Sequence, residues 1–366
     1  MKIVARWWLD GKPRGWEIEN DCILSVEPSD QSTSLILAPA FHDIQVNGGG
    51  GVGFTNDGLK VADVLRVVQL HQSHGTASFF PTVITASRAT MLHSLRTIRE
   101  AIEADPQVAA GCPGIHLEGP MISPDDGYRG AHPKEHVRPL SFAEFIEFQE
   151  ASGWRIRLVT LAPEVQGALE LIRQLVGQGV RVSLGHTRAS ANEIRAAVDA
   201  GASISTHLGN GLAKQLDRHA NPIWPQLADD RLFTSIIADG QHLTAEIVQV
   251  TAKVKQDRLV LISDASSFAG CPPGVYQDWG SSIEVTEDNR VTLAGTPYLA
   301  GSGAFLRDCV AWAVKHGLRF QVAIRAATTT PRELFDLPPT TTWLLWDEAR
   351  RMTNILDATR VVESVP

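Results

Sequence analysis

Two histidines, His186 and His207, stand twenty-one residues apart, and each follows a short run rich in apolar and β-branched residues, 180–184 and 202–205. Between them, Ile194, Ala197 and Val198 recur at helical spacing. The pattern reads strand, His, helix, strand, His. Parallel neighbours in one sheet would carry both imidazoles at the same edge. On these two residues alone a metal site and two unrelated buried histidines are both open. Further candidates are Glu118 in His116-Leu117-Glu118-Gly119-Pro120, Asp239 and His242 in Ala238-Asp239-Gly240-Gln241-His242, and Asp264 in Ser263-Asp264-Ala265. One Glu with two His leaves coordination positions open, as a catalytic rather than structural zinc site requires. A nearby aspartate can take a proton from water activated by the metal.

These residues must be positioned by a repeating scaffold. From residue 39 onward, helical periodicity at 59–74, 91–104, 142–151, 165–177 and 190–200 alternates with strand-like runs. The strands are expected at 44–46, 77–84, 114–117, 156–161, 180–184, 202–205, 233–238 and 259–263. Eight strands with interleaved helices predict a (β/α)8 barrel of the TIM type. Glu118, His186, His207, Asp239 and Asp264 then all fall at C-terminal strand ends, the barrel face that carries active sites. No helix is expected directly after His207; 209–230 reads as a long polar loop. Near the end, 283–286 and 290–293 flank Glu287-Asp288-Asn289 as a hairpin, 303–316 and 320–327 look helical, and 342–346 and 360–362 look like strands. With the short strands of 2–37, these predict a small β-sandwich accessory domain formed by both chain ends, residues 1–38 and 336–366, around a barrel of 39–335.

The run of motifs resembles the amidohydrolase superfamily and, within it, the N-acetylglucosamine-6-phosphate deacetylases. The similar stretches are Pro39-Ala40-Phe41-His42-Asp43-Ile44-Gln45-Val46-Asn47-Gly48, the Glu118 motif, Gly130-Ala131-His132, Leu161-Ala162-Pro163-Glu164, Gly185-His186-Thr187, Thr206-His207-Leu208-Gly209-Asn210, the Asp239 and Asp264 motifs, and Leu299-Ala300-Gly301-Ser302. The resemblance implies that Glu118, His186 and His207 bind the metal and that Asp264 is the general acid and base. It implies that His132 contacts the substrate acetamide and that Asn210 and Gly211 hold the sugar phosphate. Arg218 and His242 match the phosphate-binding pair, with the arginine reaching across a homodimer interface. Many amidohydrolases carry His-x-His on the first strand; here Gln45 and Asn47 replace it, and neutral amides are poor zinc ligands. One divalent ion per subunit is therefore expected, zinc first, with iron or another divalent ion as alternatives.

The chain departs from the family in the substrate-facing loops. Gly209 stands where an aromatic is usual before Asn210, Gly211-Leu212 replaces Ala-Met, and His219-Ala220-Asn221 follows Arg218 in place of Glu-Pro-Gly. The substrate readings kept open are an N-acetyl amino-sugar phosphate, a non-phosphorylated N-acetyl sugar, an N-acyl amino acid and a cyclic imide. A catalytically inert sugar-sensing barrel is the rival class; the complete Glu118, His186, His207 and Asp264 set speaks against it.

Composition narrows the rest. With 366 residues, 43% hydrophobic and 20% charged, the chain is long enough to bury a large core. A net charge of −8 argues against a nucleic-acid surface. The cysteines Cys22, Cys112, Cys271 and Cys309 show no CxxC spacing, and Arg6 and Asp10 interrupt the apolar residues that a signal peptide would need. No apolar run reaches the ~18 residues of a membrane span. A cytoplasmic enzyme with a small-molecule substrate and no nucleic-acid or membrane partner is expected.

Overall fold

A computed structural model describes residues 2–19, 22–278, 281–296, 299–357 and 360–361. Eight parallel strands follow one another around a barrel in chain order: Phe41–Val46, Thr76–Ile84, Ile115–Glu118, Ile156–Leu161, Arg181–Leu184, Ile204–Ser205, Phe233–Ile237 and Leu259–Ile262. The eighth strand meets the first at the C-terminal rim. Val46 bridges Ala265, and the Asn47 amide donates to the Ala265 carbonyl at 2.8 Å. Below this, the buried Asp43 carboxylate replaces ladder bonds by accepting from the backbone N–H of Ser263 (3.0 Å) and of Gln45 (3.1 Å).

Helices Val61–Ser73, Arg88–Ala104, Phe142–Ala151, Ala168–Gly177 and Ala191–Asp199 lie where periodicity places them. Their ends shift because caps, not apolar residues, set them. The second starts at Arg88, ahead of the apolar Met91, because the Ser87 hydroxyl accepts from Thr90 N–H at 3.1 Å. The fourth starts only at Ala168, after Gly167 with φ 86°. The last of the five carries a full capping box, Ser190 with Glu193. After the sixth strand there is only the short helix Ile223–Ala228 within the long loop.

The barrel interior is layered. Ile44, Phe80, Leu158, Ile204, Ile237, Val260 and Ile262 cluster with Leu334 and Phe335. A buried polar set joins the middle strands: His116 to Thr160 at 2.7 Å, Thr160 to Thr206 at 2.7 Å and Ser183 to Thr206 at 2.5 Å. These residues alternate along their strands with outward-facing apolar ones that meet the helices.

Both chain ends share one seven-stranded sheet, ordered Met352–Asp357, Thr342–Trp346, Ile36–Pro39, Lys2–Trp7, Pro13–Glu19, Cys22–Pro28 and Arg360–Val361. Asn20 and Val362, expected at strand ends, lie outside the described residues. Trp7 sits 5.5 Å from Trp16 and 5.4 Å from Trp343, ring centre to ring centre, so tryptophans form the core of this sheet. The expected hairpin is the middle of a four-stranded antiparallel sheet, Gly274–Asp278, Ser281–Val285, Arg290–Leu293 and Leu299–Ser302. Its last strand is tied to the barrel rim at Ala265 and Ser266, directly after Asp264. No helix among the described residues is long and apolar enough to cross a membrane.

Candidate active site

Glu118 ends the third strand, His186 follows the fifth and His207 the sixth. His186, His207 and Asp264 have φ of 50°, 31° and 50°. Side-chain-bearing residues in this left-handed region cost of order 1–3 kcal/mol each, and such strain clusters at functional sites. The turns bring three donor groups together. Glu118 Oε1 lies 3.1 Å from His207 Nε2 and 3.4 Å from His186 Nε2, the two Nε2 atoms are 3.1 Å apart, and all three ligand atoms fall within 4.8 Å of one another.

The surroundings select these donor atoms. His186 donates from Nδ1 to the Tyr128 carbonyl at 2.9 Å, which leaves Nε2 free to bind a cation. Its ring lies between two glycines. A Cβ on Gly211 (φ 59°) would sit 2.8 Å from His186 Nδ1, and one on Gly130 (φ 58°) would sit 3.0 Å from Cε1. Glu164 accepts from the Thr187 hydroxyl (2.5 Å) and the Arg188 amide (2.8 Å), holding the loop that begins with His186. The His207 amide donates to the Ser235 hydroxyl at 2.8 Å. Two imidazole nitrogens in contact, both aimed at one buried carboxylate oxygen, make a donor set that fits a divalent cation. Burial works to raise the Glu118 carboxyl, but hydrogen bonds and charge from His186 and His207 outweigh it and hold it well below the usual range.

Gln45 and Asn47 have roles in this geometry. The Gln45 amide donates to Glu118 Oε1 at 3.0 Å, and the Asn47 amide donates to Asp264 Oδ1 at 2.7 Å. Each steadies a carboxylate. Burial, with the Glu118 charge, pushes the Asp264 carboxyl up to about 6 against the pull of His207, His242 and the Asn47 amide. A carboxylate of that basicity suits proton transfer near neutral pH. His132 stands 3.3 Å from His186, Nε2 to Nε2. Burial and the neighbouring His186 push its imidazole down to about 3, so it is neutral, and its buried Nδ1 has no partner.

A cavity of about 600 Å³ opens over these residues. Asn47, Glu118, His132, His186, His207, Asn210, Gly211, His242 and Asp264 all line it, and the four-stranded sheet supplies an apolar wall through Tyr276, Ile283, Leu293 and Leu299. His242 enters from the turn after the seventh strand. Its Nδ1 meets Asp239 Oδ2 at 2.8 Å, while Asp239 Oδ1 accepts from the amides of Gln241 (2.9 Å) and His242 (3.0 Å). Burial works to raise the Asp239 carboxyl, but His242 and these amides hold it below the usual range. Arg218 is the one expected site residue that this geometry leaves out: it is exposed and does not line its own chain's cavity. Sequence reasoning overlooked Glu164, Tyr128 and the clamping role of Asp239. The first and last stood in quoted motifs; the Tyr128 contribution is a backbone carbonyl, which carries no residue-type signal.

A closed (β/α)8 barrel with a Glu-His-His cluster and an aspartate at its C-terminal rim defines the metal-dependent hydrolases of the amidohydrolase superfamily. No protein-family model matches the chain. It is 35% identical over 305 residues to N-acetylgalactosamine-6-phosphate deacetylase of Escherichia coli O157:H7, covering 82% of this chain and 78% of that protein. It is also 35% identical over 313 residues to N-acetylglucosamine-6-phosphate deacetylase of Bos taurus, covering 82% and 75%. Among solved structures, N-acetyl-D-glucosamine-6-phosphate deacetylase from Mycobacterium smegmatis, solved with N-acetyl-D-glucosamine-6-phosphate, superposes with a TM-score of 0.86 at 29% identity over 98% of both chains. The chain belongs to the N-acetylglucosamine-6-phosphate deacetylase family.

Proposed function

We propose that this protein removes the acetyl group from N-acetylglucosamine 6-phosphate, or a close N-acetyl amino-sugar phosphate, giving acetate and the amino-sugar phosphate. The carrying observation is the convergence of Glu118, His186 and His207 within 4.8 Å at the mouth of a family-typical barrel, beside Asp264. These three side chains would hold one divalent ion, zinc by donor type. When bound, such an ion supplies Lewis acidity and lowers the pKa of water.

The protein's own residues divide the remaining work. Asp264, held by Asn47, takes the proton of the attacking water and then delivers it to the departing amine nitrogen. Neutral His132 donates a hydrogen bond to the amide oxygen as negative charge develops there. Asn210 and Gly211 position the sugar phosphate, and His242 binds its anion.

Arg218 completes the phosphate site from a second subunit. Three observations support this homodimer reading. No lysine or arginine is among the described residues lining the cavity. The Arg218 carbonyl accepts from the exposed Trp224 indole at 3.1 Å. The short helix bearing Trp224 packs on helix Ala245–Lys255, whose Ile247, Val250 and Val254 are large exposed apolar residues at helical spacing. We further assign 39–335 to the hydrolase barrel and 1–38 with 336–366 to an accessory unit. Unpaired Cys112, Cys271 and Cys309 are consistent with a cytoplasmic location.

The test is kcat/KM for N-acetylglucosamine and N-acetylgalactosamine, each with and without the 6-phosphate. A preference for one phosphorylated sugar of at least roughly tenfold is expected from a charge-assisted contact. Equal rates with and without phosphate would sink the phosphate assignment and leave amide hydrolysis standing.

A further inference from the structure

Among the described residues lining the cavity are four histidines: His186 and His207 belong to the Glu118 cluster, and His132 stands against His186. His242 stands apart, on the turn after Phe233–Ile237. Its Nδ1 is committed to Asp239 at 2.8 Å. With Nδ1–H donated there, Nε2 of a neutral ring offers only a lone pair, which repels an anion. Nε2 donates to an anion only when the ring carries both protons, and that form needs a counter-charge.

Asp239 is built to supply one. Its side chain is 4% exposed, one oxygen is engaged by the turn amides of Gln241 and His242, and the other faces the ring and the Ser302 hydroxyl at 3.5 Å. The carboxylate therefore fixes both the turn and the imidazole that the turn carries. It makes no hydrogen bond to Glu118, His186 or His207, and it is not among the described residues lining the cavity.

We propose that Asp239 is a specificity-determining positioning residue: it clamps the His242 ring and the turn that carries it and sets a negative charge behind the ring, so that Nε2 is held toward the substrate's 6-phosphate. The inference rests on the 6-phosphate reading above. Without the Asp239 charge, the clamp on the ring is a neutral hydrogen bond, about half as strong.

The experiment compares wild type, Asp239→Asn, His242→Gln and the double variant, each metal-loaded, on N-acetylglucosamine with and without the 6-phosphate. Asn keeps an acceptor for the turn amides but removes the charge. The kcat/KM ratio, phosphorylated over unphosphorylated, is expected to fall roughly tenfold in Asp239→Asn, carried by KM with little change in kcat. The double variant is expected to be no worse than His242→Gln, because Asp239 acts through that ring. Asp239→Ser, which also keeps an acceptor, predicts the same fall and replaces the amide variant if that one is unstable. An unchanged ratio, an equal loss on both substrates, or additive losses in the double variant would overturn the proposal. A wild type with no preference for phosphate would instead overturn the substrate reading on which it rests.

Discussion

At the scale of single residues, the proposed roles separate groups that bind from groups that move protons. Glu118, His186 and His207 share contacts with one another, whereas Asp264 is bound to Asn47 and stands beside the cluster. Removing one donor from a three-donor set leaves two, so His207→Asn should lose both metal and turnover. Asp264→Asn should keep its metal and lower kcat by roughly 10²–10⁴-fold, the usual scale for a general acid or base. Metal content and kcat measured on the same preparations check both. A His207→Asn protein with a full equivalent of metal, or an Asp264→Asn protein with normal kcat, would contradict the division of roles.

At the scale of elements, the weak point of a barrel is the seam where the last strand meets the first. Here Asp43 replaces backbone bonds between Phe41–Val46 and the end of Leu259–Ile262. Burial pushes its carboxyl up to about 7, from an ordinary value of 3.8. Between those values the folded state binds the proton more tightly than the unfolded chain, so protonation stabilises the fold. That contribution is full below about 3.8 and is lost as pH rises through about 7. Asp43→Asn cannot titrate, so the stability of wild type relative to this variant should decline steadily from pH 4.5 to pH 7.5. Thermal unfolding of the two proteins across that range provides the check. A difference independent of pH would mean that Asp43 is ionised throughout.

At the scale of the whole molecule, no lysine or arginine is among the described residues lining the cavity that one chain forms, and Arg218 is exposed and lies outside that lining. If a second copy supplies the arginine, two inactive proteins should complement each other. Asp264→Asn chains retain Arg218, and Arg218→Ala chains retain the base. Random re-pairing places half of all chains in mixed dimers with one intact site each, so about a quarter of wild-type activity should return. Replacing Val250 by Asp on the exposed helix face should weaken pairing and lower activity together. Sedimentation alongside activity measures this. Arg218→Ala alone behaving as wild type on phosphorylated substrate would remove the reason for the dimer.

Much of this was legible in residue order, and the reason is local. Strand and helix periodicity, and the position of Glu118, His186, His207 and Asp264 at strand ends, follow from side-chain patterns within ten or so residues. The barrel and the residues that converge at its C-terminal face could therefore be read from the sequence. Caps moved several helix boundaries, since a single hydroxyl such as Ser87 outweighs the apolar pattern at a terminus. What only the tertiary structure decided involves groups distant in sequence. The Gln45 amide reaches Glu118, Asn47 reaches Asp264, and the Tyr128 carbonyl selects the nitrogen that His186 presents. The four-stranded sheet of 274–302 becomes a cavity wall only because its last strand docks beside Ala265. Asp239 reads as an ordinary strand-end acid until its carboxylate is seen against His242. Residue type states what a group can donate or accept; closure of the barrel determines which partner it meets.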